Sequence, residues 1–259
     1  MRRLGPWLFG LAGFAAAIVP MAYFAFFLAG IAVPKTIDSG PAGDPRRALA
    51  VDLALLLSFA IVHSVMARPA AKRLLTLVIP ETLERSLYSL VAGAQITALI
   101  VFWRPLPEPV WSVASELGRG LLWLGQGAGW LVILASLAVV DATYLFGWRQ
   151  ARAHAASTAL PATALSARGP YRFVRHPLYS GTILAMFSAP DMSRGRLLLA
   201  VTFTVYLVIG YRLEERDLER THGESWRAYR RAVPPLVPRL GRDRRAARPL
   251  DRVVDPPVG

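Results

Sequence analysis

The sequence predicts an all-α integral membrane protein with four spanning helices, a short C-terminal membrane helical hairpin and a cytoplasmic amphipathic helix. Of its 259 residues, 54% are hydrophobic and only 18% are charged, a balance that is unusual for a soluble domain of this size. Residues 4–34 are 31 consecutive uncharged positions, well beyond the roughly 20 that a membrane-crossing helix needs. The net charge of +13 is carried by loops and tail, which indicates topology and contact with anionic lipid.

The four predicted spans alternate with loops of different charge. The spans cover residues 4–34, 53–67, 86–103 and 120–140. If the N-terminus is cytoplasmic, the basic loop 68–85 lies inside and the nearly neutral loop 104–119 lies outside, as the positive-inside rule requires. The fourth span then returns the chain to the cytoplasm just before residues 149–175, which are rich in arginine and have no acidic residue.

Two shorter apolar runs follow and predict the hairpin. Residues 177–190 and 197–211 are uncharged over 14 and 15 positions, about 21–23 Å as helix, which is short of the roughly 30 Å hydrocarbon core. Because arginines flank both outer ends, we expect the runs to turn at residues 190–195, with the polar turn held against protein or reaching the far headgroups.

The remainder of the chain is polar. Residues 212–232 have the pattern of a charged amphipathic helix that breaks at Gly223 and ends before Pro234. The residues after 240 are rich in Arg, Pro and Asp, so we expect disorder there. The predicted organisation is a four-span region at 1–147, a cofactor-binding catalytic region with the membrane hairpin at 148–240, and a disordered basic tail at 241–259.

Several functional classes are disfavoured by composition. The chain has no cysteine, which removes disulfides and thiolate ligands. None of its four histidines form an i, i+4 pair, so we predict no metal site. The basic tail lacks the interleaved aromatic residues that nucleic-acid binding uses, so no nucleic-acid partner is expected.

Two polar clusters, at residues 169–181 and 214–219, flank the predicted hairpin, which would bring them together. A carboxylate, a cation and aromatic faces are what S-adenosylmethionine requires, because it carries a sulfonium, an amino-acid moiety and adenine. Glu214, Arg175 or His176, and Tyr171 or Tyr179 offer these groups. The same residues are also typical of ordinary interfacial anchors and surface ion pairs, and spacing alone leaves both interpretations open.

The two clusters together resemble the signature of the isoprenylcysteine carboxyl methyltransferase-like membrane methyltransferases. That pattern is approximately G-x-Y, R-H-P-x-Y-x-G, a short hairpin, E-E and G-[ED]-x-[YW]-x-x-Y-x-x-x-V-P. Here its elements correspond to Gly169 with Tyr171, to residues 175–181, to Glu214 with Glu215, and to residues 223–234.

The resemblance implies a set of site residues. Those that would contact S-adenosylmethionine are Tyr171, His176, Pro177, Leu178, Tyr179 and Glu214, with residues 163–166 as further contacts. His176, Tyr179 and Arg175 are the implied catalytic residues. Members acting on prenylcysteine have an arginine four residues before the first glutamate, where this chain has Gly210, which disfavours a prenylcysteine substrate.

Four further segments are similar to the bacterial methanethiol S-methyltransferases, a group related to the NnrU-type membrane proteins. They are residues 62–69, 80–88, 102–105 and 145–150. Within the last segment, the resemblance makes Gln150 an additional cofactor-site residue. The likeness extends from about residue 50 to residue 240.

The resulting expectation is a multi-pass enzyme of the bacterial inner membrane, with its active site facing the cytoplasm. It would use S-adenosylmethionine to convert a small thiol, methanethiol, to dimethyl sulfide. The bilayer suits this chemistry because an apolar thiol and its product partition into lipid. Two alternatives stay open: a methyltransferase for a larger lipidic acceptor, such as a prenylcysteine or phospholipid, and a non-catalytic NnrU-type protein.

Overall fold

The computed structural model describes residues 4–41, 43–160 and 167–239. The predicted disordered tail at 241–259 and the predicted contact stretch 163–166 therefore lie outside the described residues. Within these ranges the chain forms two compact units. The first contains residues 4–41, 43–113, 141–160 and 191–202, and the second contains residues 114–140, 167–190 and 203–239.

Nearly all regular structure is helical. The helices are α1 (Leu4–Ala29), α2 (Pro45–Met66), α3 (Pro69–Leu75), α4 (Glu81–Phe102), α5 (Glu116–Val140), α6 (Ala142–Leu145), α7 (Trp148–Ala156), α8 (Pro177–Phe187) and α9 (Arg194–Ala232). A 3₁₀ turn covers Gly169–Arg172, and two short strands, β1 (Pro109–Ser112) and β2 (Asp191–Ser193), pair antiparallel.

Among the described residues, five helices are long and apolar enough to cross a membrane: α1, α2, α4, α5 and α9. The chain is therefore a multi-pass membrane protein built almost entirely of helices. Helices α1, α2, α4 and α5 correspond to the four predicted spans, because long apolar runs have few alternatives to a membrane helix. Their bounds differ from the predicted ones: for example, α1 ends at Ala29 rather than at residue 34, and α2 begins at Pro45 rather than at residue 53.

The predicted hairpin differs from the structure in its second limb. Helix α8 has 11 residues and is short, as predicted, but α9 has 39 and extends far beyond the apolar run 197–211. The extension is the charged segment 212–232, which was itself predicted to be helical. Charged residues on an exposed face do not stop a helix, so the second limb and this segment form one element. The backbone leaves helical geometry at Gly223 (φ 53°, ψ −123°), where the sequence predicts a break, because glycine adopts positive φ without a Cβ clash.

In the first unit, α1 packs closely on α4 and α7. A Cβ added at Gly93 would lie 1.8 Å from the Ala16 carbonyl oxygen, and one at Gly13 would lie 2.6 Å from that of Ser86. Only glycine allows backbones to approach so closely, which is the small-residue packing expected between membrane helices.

The turn before α9 is held by ion pairs and a hydrogen bond within the first unit. The guanidinium of Arg196 donates to Asp38 at 2.6 Å, and the hydroxyl of Ser193 donates to the same carboxylate. Arg194 forms an ion pair with Glu108 at 2.7 Å, beside the β1–β2 ladder. The predicted polar turn at 190–195 is thus held against protein, at the end that carries the loops around residues 38 and 108.

Asp141 follows α5 and has a structural role. Its carboxylate caps α6 by accepting from the Thr143 and Tyr144 backbone amides, and it pairs with Arg149 at 3.0 Å. A hydrogen bond from the Thr143 hydroxyl, reinforced by Arg149, holds the pKa of Asp141 below its ordinary value.

Candidate active site

The second unit contains the arginine–histidine–proline segment at the start of α8. His176 is the N-cap of α8 and Pro177 occupies the first turn, where its fixed φ fits a helix and its missing N–H is not needed. Helix α8 packs along α5 through Gly129 and Gly181: a Cβ on Gly129 would lie 2.6 Å from the Gly181 carbonyl oxygen, and the reverse distance, to the Gly129 oxygen, is also 2.6 Å. This contact fixes where α8 begins.

Backbone hydrogen bonds join this segment to the chain that follows α9. The amides of Arg175 and His176 donate to the carbonyls of Pro234 and Pro235 at 2.9 and 3.0 Å. The hydroxyl of Ser180 donates to the Leu236 carbonyl at 2.6 Å. The arginine–histidine–proline segment therefore contacts the end of the motif at residues 223–234 directly, although nearly 60 residues separate Arg175 from Pro234.

Arg175 is buried, and its guanidinium contacts one carboxylate and two backbone carbonyls. Its Nε and Nη2 each lie 2.8 Å from Oε1 of Glu215, and its Nη1 donates to the carbonyls of Arg230 at 3.0 Å and of Val233. The side chains of Arg175 and Glu215 are 7% and 11% exposed. A buried charge is tolerated only when it is paired in this way, so Arg175 links α8, α9 and the segment after α9.

His176 lies between two carboxylates and two aromatic rings. Its Nε2 is 3.0 Å from Oε1 of Glu215, and its Nδ1 is 3.7 Å from Oε2 of Glu214. The ring stacks on Tyr179 with a centroid separation of 5.5 Å and an interplanar angle of 9°, and it contacts Tyr211 at 5.2 Å. These two carboxylates and two rings hold the imidazole in one orientation.

Glu214 is the accessible carboxylate of the cluster. Its side chain is 49% exposed, and its Oε2 accepts a hydrogen bond of 3.0 Å from the Tyr179 hydroxyl. Burial, with the charge of Glu214, raises the pKa of Tyr171 to about 12, so its phenol stays neutral. The Tyr229 hydroxyl donates to the Tyr171 carbonyl at 2.7 Å, which ties the 3₁₀ turn to the C-terminal part of α9.

Seven of the eight predicted site residues lie in the second unit. Tyr171, Arg175, His176, Pro177, Leu178, Tyr179 and Glu214 form this group. The eighth, Gln150, lies on α7 in the first unit, where its Nε2 donates to the Tyr144 carbonyl at 2.9 Å. Its buried Oε1 has no hydrogen-bond partner among the described residues. The assignment of all eight to a site stays a prediction.

Glu215 was not among the predicted site residues, yet it is the anion on which Arg175 and His176 converge. The sequence indicates an ordinary surface pair for this residue, because Arg212 lies three residues before it at helical spacing. One signal was present: consecutive glutamates on a helix point about 100° apart, so one of the two must face a different environment. In the structure, Glu214 faces out and Glu215 faces the protein.

The arrangement suits an organic cation with an aromatic or amino-acid portion. A half-exposed carboxylate offers charge, and the rings of Tyr171, Tyr179 and Tyr211 offer π faces to a positively charged group. Arg175 and Glu215 neutralise one another, so the charge of Glu214 is not used by Arg175.

Comparison with known proteins gives a consistent set of relatives. The chain is 39% identical over 260 residues to methanethiol S-methyltransferase 2 of Bradyrhizobium diazoefficiens, covering 99% of this chain and 98% of that protein. It is 36% identical over 240 residues to methanethiol S-methyltransferase of Mycobacterium tuberculosis, covering 92% and 98%. A more distant relative is Nurim of Xenopus laevis, 31% identical over 177 residues, covering 65% and 62%. No family model matches the chain, and no solved structure does.

Proposed function

Because the chain belongs to the methanethiol S-methyltransferases, we propose that it methylates methanethiol with S-adenosylmethionine, giving dimethyl sulfide and S-adenosylhomocysteine. The observation that carries this proposal is the half-exposed Glu214, held by the Tyr179 hydroxyl beside the buried His176–Glu215–Arg175 network. That network lies in the segment by which the sequence resembles membrane methyltransferases.

The residues present fit the methyl donor. The donor's sulfonium and ammonium groups are cations, and Glu214 is an accessible carboxylate with aromatic rings next to it. Tyr171, His176, Pro177, Leu178 and Tyr179 form the remainder of the proposed cofactor site, with Gln150 assigned to it by family resemblance. When bound, S-adenosylmethionine would supply a methyl group on positively charged sulfur, and a thiolate would take that methyl group as S-adenosylhomocysteine leaves.

The protein's own residues have separate tasks in this proposal. Tyr179 orients the Glu214 carboxylate through its hydroxyl. Arg175, whose guanidinium is directed at Glu215 and at the carbonyls of Arg230 and Val233 inside the protein, positions α8 and His176 without touching the reacting atoms. Alignment of donor and acceptor, together with exclusion of water, is the main requirement of an in-line methyl transfer.

The thiol proton has three candidate acceptors, which are His176, Tyr179 and water. With Nε2 of His176 directed at Glu215, Nδ1 is the ring nitrogen on the Glu214 side, and the Tyr179 hydroxyl lies on that side too. The neutral phenol of Tyr171 is unsuited to this role because its pKa is raised to about 12. We expect His176→Ala and Tyr179→Phe to differ in their pH–rate profiles, since a general base determines the acidic limb of such a profile.

The proposed membrane arrangement follows charge. The basic loop 68–85 and the segment 149–175 are placed in the cytoplasm, so the site faces the cytoplasm from the bacterial inner membrane. The α8–α9 pair forms a hairpin from that side, and residues 212–232 lie as an amphipathic helix at its surface. In this proposal, residues 148–240 are the catalytic region and residues 1–147 are its membrane support.

Gas-chromatographic detection of dimethyl sulfide tests the proposal directly. Detergent-purified protein is given methanethiol and S-adenosylmethionine, and binding of the donor is measured in parallel by calorimetry. Glu214→Gln is the test variant, because loss of one charged contact at a half-exposed site weakens binding by about tenfold. Asp217→Asn is the matched control: Asp217 lies on the same helix, is 47% exposed and pairs with Arg220.

The outcomes separate the rival functions. Dimethyl sulfide formation that falls in Glu214→Gln and persists in Asp217→Asn supports both the activity and the site. Donor binding without dimethyl sulfide would point to a larger lipidic acceptor. Absence of donor binding by the wild-type protein would overturn the methyltransferase proposal and favour a non-catalytic role.

A further inference from the structure

A cavity lies entirely within the first unit, between the start of α2 and the start of α9. It has a volume of about 450 Å³, in the range of small-molecule sites. Its walls are apolar, formed mainly by Leu49 on α2 and by Leu197, Leu198 and Val201 on α9. Leu49 and Val201 are 42% and 46% exposed, so the cavity is a groove open at its side.

The rim of this groove is charged. Arg46 and Arg194 line it together with Glu108. Arg194 is paired with Glu108 at 2.7 Å, while the exposed Arg46 guanidinium forms no ion pair with any residue in the described ranges. One acid against two arginines leaves the rim with a net positive charge. The positive end of the α9 dipole adds to that charge, because Arg194 begins α9. At α2 the carboxylate of Asp44 caps the helix and offsets its dipole.

The position of the groove suggests what fills it. Both helices that form its walls are candidate membrane spans, so its open apolar side faces hydrocarbon rather than water. The charged rim lies where the two helices begin, at the level of the membrane surface. An apolar channel that ends in an exposed arginine matches the shape of a phospholipid: an acyl chain with a phosphate at one end.

We propose that this groove is a binding site for one anionic phospholipid, with an acyl chain against Leu49, Leu198 and Val201 and its phosphate at Arg46. A zwitterionic choline lipid would bring a second cation to a rim that is already positive, so the site prefers a glycerol headgroup. The proposal uses none of the residues assigned to methyl transfer and is independent of that function.

Native mass spectrometry of the detergent-purified full chain, titrated with palmitoyl-oleoyl phosphatidylglycerol, measures this binding. Arg46→Ala should weaken the first lipid-binding event by about fivefold, the effect of one arginine near a membrane surface. Arg47→Ala is the matched control, because Arg47 is the exposed neighbour that does not line the groove.

A second pair of variants tests the acyl-chain channel. Val201→Trp fills the groove and should weaken the same event at least as much as Arg46→Ala. Val205→Trp places the same ring one turn further along α9, at a position 54% exposed and outside the groove. All four variants alter exposed residues, so a folded monomer in the spectrum checks that any loss is local.

We expect Arg46→Ala and Val201→Trp to weaken phosphatidylglycerol binding and the two control variants to leave it unchanged. We also expect the wild type to bind phosphatidylcholine more weakly than phosphatidylglycerol. Phosphatidylglycerol binding that is the same in all four variants as in the wild type would overturn the site. Equal loss in the control variants, or equal binding of the two lipids, would show that the bound lipid is unspecific and would overturn it as well.

Discussion

Glu214 and Glu215 are adjacent in the chain but have opposite surroundings, so substituting each in turn tests the buried network. Glu215→Ala removes the anion on which Arg175 and His176 converge, whereas Glu214→Ala removes a carboxylate that is 49% exposed. Removing one partner of a buried ion pair typically costs about 3–5 kcal/mol, since the other charge stays buried and uncompensated. Arg175 keeps the Arg230 and Val233 carbonyls, so we expect the lower end, about 3 kcal/mol.

That free-energy change corresponds to a measurable shift in unfolding temperature. For a chain of this size, 1 kcal/mol lowers the melting temperature by roughly 2–4 °C. The Glu215→Ala variant should therefore unfold about 6–12 °C below the wild type in a detergent thermal-unfolding assay. The Glu214→Ala variant should stay within about 2 °C, because exposed substitutions usually change stability by about 0.5 kcal/mol or less.

A double variant separates charge from packing. Arg175→Met combined with Glu215→Leu leaves no unpaired charge, and apolar replacements of buried ion pairs are often neutral. The double variant should regain most of the stability lost in Glu215→Ala, and methyl transfer should stay impaired since His176 has lost its acceptor. Equal melting temperatures for Glu214→Ala and Glu215→Ala would refute the buried network.

Three further outcomes are expected. Gly129→Ala should destabilise the protein by about 1–3 kcal/mol through overpacking against α8, whereas Gly127→Ala, which meets nothing within 4 Å, should be neutral or slightly stabilising in the same unfolding assay. Asp141→Ala should cost about 1 kcal/mol at neutral pH. Because the folded-state pKa of Asp141 is lowered, that cost should vanish as the pH falls through the folded-state pKa; a constant cost across the titration would contradict the capping role. Tyr179→Phe should raise the dissociation constant for S-adenosylmethionine by up to about tenfold, and unchanged calorimetric binding would remove Tyr179 from the site.

Much of the membrane fold could be predicted from hydropathy. Spans α1, α2, α4 and α5 are long apolar runs, and a bilayer leaves such runs little choice of structure. The break at Gly223 was predictable because it depends on local backbone chemistry. The helical conformation of residues 212–232 was also predictable, from their amphipathic pattern. The burial of Trp226, Tyr229 and Val233 in one cluster was not, because it depends on packing that no local pattern reveals.

The candidate site, like the fold, could be predicted only in part from the sequence. The motifs identified the segments and the family, and the relatives confirm the family. They could not show that Arg175 is fully enclosed or that the amides of residues 175 and 176 bond to residues 234 and 235. These contacts join segments far apart in sequence, and backbone hydrogen bonds carry no residue-type signature from which they could be inferred.

The acidic pair explains why one carboxylate would not suffice at this site. Arg175 must be neutralised to be buried, and a carboxylate that neutralises it has little negative potential left for a cationic ligand. Placing a second glutamate next to the first on α9 turns it by about 100°, so Glu215 compensates the arginine while Glu214 keeps its charge for the accessible side. His176 contacts both carboxylates, and the orientation of its ring therefore depends on the buried pair as well as on the exposed one. A substitution at Glu215 should consequently disturb the exposed face of the site even though Glu215 itself never reaches it.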